Sequence, residues 1–326
     1  MIHGELESKL KVKAPLIEIN TFNSPPGGES FYFHTLDGVK LRIAVWNQSS
    51  SRGTVLLQSG RTEFIEKYYE VILEFIQRGF CVAMMDWRGQ GLSERVAKDI
   101  HIGHIKNFSD YDSDFVEVID KVYKDKCPKP WIGMGHSMGG CLIASAAAKN
   151  NDLFDAIILC APMLSLQMTT VVKSTIYFLG LIAKIGFEEK AIAKPEWHIE
   201  KGWREQPFTE NEVTSDQARH ERTIMLIRRF EDLAIGGLSI GWLYEALKRI
   251  KEISSPGWIK KIKQPLLLLN ASKDKLVNPM ENQRICSQLE NVIIENIESE
   301  HEILMEINSI RDQAWSVMDK FLAKTL

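Results

Sequence analysis

Hydrophobic positions along the chain follow two patterns that alternate. Short continuous apolar runs occur at residues 54–57, 80–85, 131–134, 156–161, 266–269 and 292–294. Runs of this length are typical of strands buried on both faces of a parallel sheet. Between most of them apolar residues recur at helical spacing, as at Phe115, Val118, Ile119 and Val122. This alternation predicts an α/β fold with a mostly parallel sheet flanked by helices.

The start and the end of the chain carry further patterns. Alternating apolar residues at 31–33 and 39–45 flank an Asp-Gly pair at 37–38, which predicts an N-terminal antiparallel hairpin. A helix beginning near Glu66 is predicted to end before Gly79, because glycine commonly follows a helix C-terminus. One face of a final helix is formed by Ile310, Ala314, Val317 and Phe321.

One long stretch, residues 163–238, interrupts the alternation. It contains helical segments and no convincing strand pattern, and one segment follows a capping-box sequence that starts at Thr214. We therefore predict a single catalytic core made of residues 1–162 and 239–326. Residues 163–238 are predicted to form a helical cap inserted into that core.

The composition is that of an ordinary globular protein of 326 residues. Hydrophobic residues make up 44% and charged residues 25% of the chain, which excludes a disordered chain or a disulfide miniprotein. Lys and Arg number 40 against 43 Asp and Glu, giving a net charge of −3. Nucleic-acid binding relies on a basic excess, so no nucleic-acid partner is expected. No segment indicates an obligatory protein partner.

The cysteines and the N-terminus predict a cytoplasmic location. The five cysteines are widely spaced, without a CxxC pair or a Cys/His cluster of zinc-ligand spacing. We therefore predict reduced thiols and no metal site. The first residues, MIHGELES, lack the features of a signal peptide. No run reaches the ~18 consecutive apolar residues of a membrane span.

Two segments bear on contact with a membrane surface. Residues 171–186 are apolar but interrupted by Lys173 and Lys184, which predicts an amphipathic or buried helix. Residues 248–263 carry six cations against one acid. Peripheral contact with the inner face of a membrane is one interpretation of this basic stretch, and a solvated helix face is the other.

The most informative motif is GHSMG at residues 135–139, a GxSxG pattern centred on Ser137. An apolar run precedes it and a helix-forming run at 141–148 follows it. On such a tight strand-to-helix turn, a serine is held in strained backbone geometry with its hydroxyl exposed above the sheet. The motif predicts a nucleophilic serine.

A serine nucleophile needs a base and an acid. His301 is the only histidine beyond His220, and it lies in a loop before the final helix, where the order serine, acid, histidine places the base. Asp274 follows the run at 266–269, at the sheet edge where ligands of α/β proteins bind. It is predicted to orient His301 and stabilise its positive form. Capping of a helix that begins near Pro279 is the alternative.

Two backbone N–H groups are expected to stabilise the oxyanion of the reaction. One belongs to Met138, which directly follows the nucleophile. The other is assigned to Arg61, after Gly60, in the loop that follows an earlier strand. The side chain of His136 is predicted to point elsewhere and to pack.

These segments resemble the α/β-hydrolase superfamily and, within it, the bacterial lysophospholipase and monoacylglycerol lipase group. The resemblance extends over about residues 30 to 322, and 214–216 and 236–242 are similar to the bacterial lysophospholipases. It implies a serine carboxylic-ester hydrolase that acts through an acyl-enzyme on lysophospholipid or monoacylglycerol. The matching segments are SGRTEFIEKY at 59–68, DWRGQGLS at 86–93, GHSMGG at 135–140 and HEILME at 301–306.

The chain departs from many α/β-hydrolases at the oxyanion turn, where Ser59 replaces histidine. The donor there is a backbone group, so the exchange need not impair it. Apolar stretches at 163–168 and 175–183 either line a site for an acyl chain or pack on the core. The resemblance places Glu63 near the active-site mouth, and an ion pair with a nearby Arg or Lys is the alternative. The residues expected to contact substrate are Gly60, Glu63, Met163 and Leu164.

Two other functions stay open at this point. A serine aminopeptidase of the proline-iminopeptidase type would need a carboxylate for a free amino terminus, which Glu63 or Glu210 would supply. A catalytically idle scaffold that binds a ligand is the second. Arg88 is expected to pair with a carboxylate, with phosphate binding as the alternative. No P-loop or dinucleotide fingerprint is present, so no cofactor is expected.

Overall fold

The computed structural model of the chain describes residues 12–20, 22–183, 186–191 and 207–326. Within them, eight strands form one sheet in the order β1-β2-β4-β3-β5-β6-β7-β8. β2 pairs antiparallel with β1 and with β4, and the remaining neighbours are parallel. The strands are β1 (Glu29–His34), β2 (Lys40–Trp46), β3 (Thr54–Gln58), β4 (Cys81–Met85), β5 (Trp131–His136), β6 (Ala156–Cys160), β7 (Leu266–Ala271) and β8 (Val292–Ile297).

The fold class predicted from the apolar patterns is confirmed. Each continuous apolar run forms a strand, and the hairpin across residues 37–38 forms β1 and β2. β8 differs from the prediction in its burial, because several of its residues are partly exposed. It is the edge strand of the sheet and pairs only with β7.

Helices cover both faces of the sheet. The predicted helix after Glu66 begins as a 3-10 turn at Ile65–Tyr68, continues as α1, and is followed by Gly79 with a φ of +84°. α2 continues through a π-helical turn at Ile119–Tyr123. The described α-helices of a full turn or more are α1 (Tyr69–Gln77), α2 (Ser109–Val118), α3 (Met138–Lys149), α4 (Thr170–Ala183), α5 (Gln217–Arg229), α6 (Ile240–Ile253), α7 (Pro279–Cys286) and α8 (Asn308–Thr325).

The hydrophobic core has two layers, one on each face of the sheet. Side chains alternate between them along a strand, so Ile43 belongs to one layer and Ala44 to the other. α2, α3 and α6 cover the first layer, and α1 and α8 cover the second. All five cysteines are buried free thiols, as predicted.

Between β6 and β7, the described residues form helices, turns and isolated bridges. The predicted capping box at Thr214 is wrong. Asp216 is the N-cap of α5 and accepts a hydrogen bond from the Arg219 N–H at 2.9 Å. The Thr214 hydroxyl instead donates to the carbonyl of Met305 at 2.7 Å, which attaches the start of α5 to the loop before α8.

α4 leaves an apolar face exposed. Its inner side packs on α6, where Gly180 lies against the ring of Tyr244. The exposed fraction reaches 75% for Val171, 64% for Phe178 and 61% for Leu181. One side of α4 is therefore buried and the other side is exposed, although both sides are largely apolar. Lys184 lies outside the described residues. Among the residues with described structure, no helix is long and apolar enough to cross a membrane.

Two of the six cations in the basic stretch at 248–263 pair with carboxylates, and Lys251, Lys260, Lys261 and Lys263 are exposed. Arg249 is buried and pairs with Asp112 at 2.5 Å, and Lys248 pairs with Glu245 at 2.7 Å. The lysines at 260–263 precede β7, at the amino-terminal edge of the parallel strands. The carboxyl-terminal edge, where the predicted nucleophile lies, is the opposite edge.

Candidate active site

Ser137 occupies a strained turn between β5 and α3. Its φ of +50° and ψ of −115° are rare for a residue other than glycine. The turn is possible because both flanking glycines lack a side chain. A Cβ at Gly139 would lie 2.3 Å from the Gln58 carbonyl oxygen, and one at Gly135 would lie 2.4 Å from the backbone of Gly139. The tight turn expected from the GxSxG motif is present.

Asp274 and His301 form a buried hydrogen-bonded pair. The His301 Nδ1 lies 2.5 Å from Oδ2 of Asp274. The other carboxylate oxygen accepts from the N–H groups of Leu276 at 2.8 Å and Val277 at 3.0 Å. The N-cap of α7 is Asn278, so Asp274 does not have the capping role that was its alternative. Asp274 is thereby held in the orientation that reaches His301.

The topology of the sheet brings these residues together. Ser137 follows β5, Asp274 follows β7 and His301 follows β8. In the sheet β5, β6, β7 and β8 lie side by side and are parallel. Their carboxyl ends therefore meet at one edge, as in other open α/β sheets. Ser137 and His301 line the same cavity there.

The oxyanion turn, residues 59–63, lies against the nucleophile. A Cβ at Gly60 would lie 3.1 Å from the Cβ of Ser137. The N–H groups of Arg61 and Met138 have no hydrogen-bond acceptor among the described residues. For Met138 this follows from its position in the first turn of α3, whose N–H groups have no partner within the helix.

Gln90 holds the oxyanion turn in place from the side. Its amide nitrogen donates to the Gly60 carbonyl at 3.1 Å, and its amide oxygen accepts from the Thr62 N–H at 2.9 Å. The side chain thereby fixes the backbone on both sides of Arg61. Sequence reasoning did not identify this residue, because only the fold brings β4 beside β3.

The Glu63 carboxylate is buried and belongs to a network of charged side chains, so it is not free to pair with a substrate. It accepts from the Gly60 N–H and from the Tyr68 hydroxyl, and it pairs with Lys67 at 2.9 Å. Its Oε2 lies 3.0 Å from Nδ1 of His136. Burial opposes ionisation, but Lys67 and His136 hold the pKa of Glu63 well below its ordinary value. The i, i+4 spacing of Glu63 and Lys67 was the available sequence signal.

His136 connects this network to the loop of His301. Its Nε2 lies 3.3 Å from the His301 carbonyl oxygen, and the two rings are 4.7 Å apart. Burial lowers the pKa of His136, but the adjacent Glu63 outweighs burial and raises it. A protonated His136 donates from both ring nitrogens, which suits a structural role between the two loops.

The cavity above Ser137 has a volume of about 340 Å³. Met163 lines it, whereas Leu164 is buried in the core and does not reach it. Residues 175–183 do not line it either, because they belong to α4, where Ile176, Gly180 and Ala183 are buried and the exposed face carries Phe178 and Leu181. Apolar side chains from several elements form most of the wall: Met163, Leu166, Met168, Val213, Ile224, Ile227, Leu238, Trp242, Leu243, Leu276 and Val277.

Replacing Gly60 by alanine is expected to displace the oxyanion turn. The new Cβ would lie 2.8 Å from Glu63 Oε2 and 3.1 Å from Ser137 Cβ, so the turn must move or lose the position of the Glu63 carboxylate that accepts from the Gly60 N–H. Losing one oxyanion donor lowers kcat by about 10²- to 10³-fold, and we expect a loss of that size. Steady-state hydrolysis of p-nitrophenyl butyrate measures it.

The matched control is Gly237→Ala, because a Cβ there meets only Ala191, at 3.5 Å. Its kcat is expected to stay within about twofold of wild type. A folded Gly60→Ala protein with wild-type kcat would contradict the assignment of the turn.

The Arg88 side chain pairs with Asp37 at 2.9 Å and Asp114 at 2.5 Å, as expected for a structural arginine. Within the part of the chain that the structure describes, no group of three or more potential metal ligands is present.

One curated relative matches most of the chain, and another matches less than half of it. Lysophospholipase L2 of Escherichia coli strain K12 is 26% identical over 295 residues, covering 86% of this chain and 84% of the relative. The monoacylglycerol lipase of Mycolicibacterium smegmatis is 30% identical over 133 residues, covering 40% of this chain and 45% of the relative.

Solved structures share the fold. A monoglyceride lipase from Saccharomyces cerevisiae, in complex with a substrate analogue, has a TM-score of 0.71 at 16% identity and covers 93% of this chain and 98% of its own. A thermostable carboxyl esterase from Bacillus coagulans has a TM-score of 0.72 at 19% identity, with 92% and 99% covered.

The family model described as serine aminopeptidase, S33, matches residues 49–308, which include Ser137, Asp274 and His301. The resemblance noted from the sequence motifs is thereby confirmed. The chain belongs to the serine aminopeptidase S33 family, has the α/β-hydrolase fold, and is similar in sequence to a lysophospholipase and a monoacylglycerol lipase.

Proposed function

We propose that the protein hydrolyses carboxylic esters of single-chain lipids through an acyl-enzyme. Ser137 attacks the ester carbonyl while His301 takes its proton, and Asp274 orients and stabilises the charged imidazole. The N–H groups of Arg61 and Met138 stabilise the oxyanion. His301 then protonates the leaving alcohol and activates water to release the fatty acid.

The observation that carries this proposal is the Asp274–His301 hydrogen bond beside the strained Ser137 turn. The pair is buried, and its Nδ1–Oδ2 distance of 2.5 Å directs the other ring nitrogen away from Asp274. His301 and Ser137 line one cavity, which gives the free ring nitrogen a path to the hydroxyl. An aminopeptidase of the proline-iminopeptidase type would use the same three residues, so the arrangement supports serine hydrolase chemistry in either case, and the lining of the cavity distinguishes the two.

The lining of the cavity supports an acyl chain as the group that enters it. Its wall is mostly apolar, and its volume of about 340 Å³ suits one chain. Each buried methylene adds about 0.8 kcal/mol of binding free energy. Relatives named as a lysophospholipase and a monoacylglycerol lipase point to the same substrate class.

An aminopeptidase is the second candidate, and the family description carries that name. Such an enzyme binds a substrate ammonium with a carboxylate. The described carboxylates that line the cavity, Glu63 and Glu302, both pair with Lys67, at 2.9 Å and 2.5 Å. Glu210 is not among the lining residues. The charge of the cavity therefore favours the ester hydrolase.

A matched substrate panel tests the proposal. It compares a monoacylglycerol, a lysophosphatidylcholine of the same acyl chain and an aminoacyl arylamide, with Ser137→Ala protein as blank. We expect turnover of at least one lipid ester and none of the arylamide. Arylamide turnover without lipid ester turnover would replace the proposal by the aminopeptidase.

We further propose that residues 163–238 form a cap over this cavity and that α4 contacts the membrane that holds the substrate. One of the segments of 163–238 that line the cavity, residues 166–168, ends two residues before α4 begins at Thr170. The exposed residues Val171, Phe178 and Leu181 are apolar, and burying them in lipid is favourable. Since the cations at 260–263 lie at the other sheet edge, the contact is hydrophobic rather than electrostatic.

Replacing Phe178 and Leu181 by serine is expected to weaken binding to phosphatidylcholine vesicles about 10- to 100-fold, because two exposed apolar side chains no longer enter the lipid. Vesicle sedimentation measures the partition coefficient. Leu36→Ser is the control, because Leu36 is 90% exposed and lies in the β1–β2 turn, outside α4.

We expect this control to bind like wild type, and raised salt to have little effect. Wild-type protein that stays unbound, or a dimer that covers α4 in solution, would overturn the membrane contact.

A further inference from the structure

One arginine side chain lines the catalytic cavity without a carboxylate partner. Within the described residues, the guanidinium of Arg61 has no hydrogen bond or ion pair, and its Nη1 atom is buried. A buried charge without a counter-charge is unfavourable. Arg61 as a whole residue is partly buried. Arg95, which is also partly buried, donates to the backbone carbonyl groups of Ile100 and Asp232. The described arginines that are buried each pair with a carboxylate: Arg42, Arg88, Arg219, Arg249 and Arg311.

The surroundings of Arg61 hold the guanidinium but do not neutralise it. Its Cζ lies 5.7 Å from the centre of the Trp242 ring, close enough for a cation–π contact. Its Nη1 lies 3.4 Å from the position of a Cβ at Gly103, where the chain leaves room for it. Burial lowers the pKa of Arg61 to about 10, so the group stays positive at neutral pH.

The remaining charges of the cavity leave this cation uncompensated. Glu63 and Glu302 share Lys67 as their partner. Lys275, a second cation of the lining, lies 3.7 Å from Glu212 in an exposed pair. The described lining is therefore suited to an anionic substrate group and has no free carboxylate for a cationic one.

Arg61 also lies at the right place along the substrate. Its backbone N–H is assigned to the oxyanion, and the preceding Gly60 lies against Ser137. In a lysophospholipid only the glycerol backbone separates the scissile ester from the phosphate. A group that anchors the phosphate beside the oxyanion turn would thus place the ester carbonyl at the nucleophile.

We propose that the Arg61 guanidinium binds the phosphate of a lysophospholipid whose ester carbonyl lies at Ser137. The assignment rests on the proposed ester hydrolase and names the head group that it selects. Arginine forms strong charge-assisted hydrogen bonds with phosphate oxygens. Monoacylglycerol has no phosphate and gains nothing from this contact, so Arg61 sets the preference between the two lipid classes.

The test compares two soluble esters with one acyl chain, hexanoyl glycerophosphocholine and monohexanoylglycerol, in wild type, Arg61→Met and Arg61→Lys. Both esters use the same oxyanion turn, so a disturbance of that turn cancels in the ratio of their kcat/KM values. In Arg61→Met we expect the ratio of phosphodiester to neutral ester to fall about 10- to 100-fold. Arg61→Lys, which keeps a positive charge, is expected to restore part of it.

Lys275→Met is the control for a general effect of positive charge in the cavity, and its ratio is expected to match wild type. An unchanged ratio in Arg61→Met, or an equal fall in Lys275→Met, would overturn the role of Arg61. Failure of the underlying function gives a different result: wild type would cleave p-nitrophenyl butyrate but neither lipid ester.

Discussion

Ser137→Ala is expected to lower kcat for ester hydrolysis about 10⁶-fold, because no other group can form the acyl-enzyme. The strained turn presents this hydroxyl in the cavity beside His301. Removal of Oγ leaves substrate binding and the oxyanion donors intact, so a small residual rate over the uncatalysed reaction is expected. Hydrolysis of p-nitrophenyl butyrate, followed by absorbance, measures the loss.

Ser299→Ala provides a matched control for this loss. Ser299 is buried, its hydroxyl has no hydrogen-bond partner among the described residues, and it precedes His301 by two positions. Its kcat is expected to stay within about twofold of wild type. A Ser137→Ala protein that retained a tenth of the wild-type activity would show that another residue is the nucleophile.

Asp274→Asn is expected to lower kcat about 10⁴-fold while leaving the fold intact. The carboxylate accepts a hydrogen bond from Nδ1–H of His301, which leaves Nε2 free to take the serine proton. An asparagine amide can donate to Nδ1 instead and so favours the tautomer in which Nε2 is protonated. The same ester assay, with a thermal melt of the variant, measures both effects.

Asp216→Asn separates this catalytic role from helix capping. Like Asp274, Asp216 accepts a hydrogen bond from a backbone N–H and pairs with a side chain, here Arg219. Asp216 is the N-cap of α5 and has no contact with His301 among those described. Asparagine is an effective N-cap, so kcat is expected to be unchanged. If Asp274→Asn lowered the melting temperature but kept kcat within tenfold of wild type, Asp274 would stabilise its loop without a catalytic role.

The strands and the core were predictable because their signal is local. Buried parallel strands require continuous apolar runs, and each run from 54–57 to 292–294 forms one. The exposure of β8 was not predictable from its own residues, since it depends on the strand order that leaves β8 at the edge. The same limit applied at Thr214, where a contact with Met305 decides which residue caps α5.

The three residues of the proposed mechanism were predictable from their order and from strand ends. Ser137, Asp274 and His301 each follow a predicted strand, and parallel strands bring those ends together. The residues that hold these three in position were not predictable in this way. Gln90 bridges the oxyanion turn through contacts between segments 30 residues apart, which no local pattern shows.

The charge and hydrophobicity of a segment do not show which of its side chains are exposed. The stretch at 248–263 is basic in sequence, yet Arg249 is buried with Asp112 and Lys248 pairs with Glu245. α4 was expected to be covered on its apolar side or to line the cavity, yet much of its apolar surface is exposed. Only the packing of α4 on α6 shows which side chains remain outside.

Mass analysis after treatment with a fluorophosphonate tests the central claim, that Ser137 is an activated nucleophile, most directly. The reagent reacts with serine hydroxyls that an adjacent base activates. We predict one adduct per chain, on the peptide that contains Ser137, and no adduct in Ser137→Ala protein. Equal labelling of wild type and Ser137→Ala, or no labelling of folded wild type, would contradict the account.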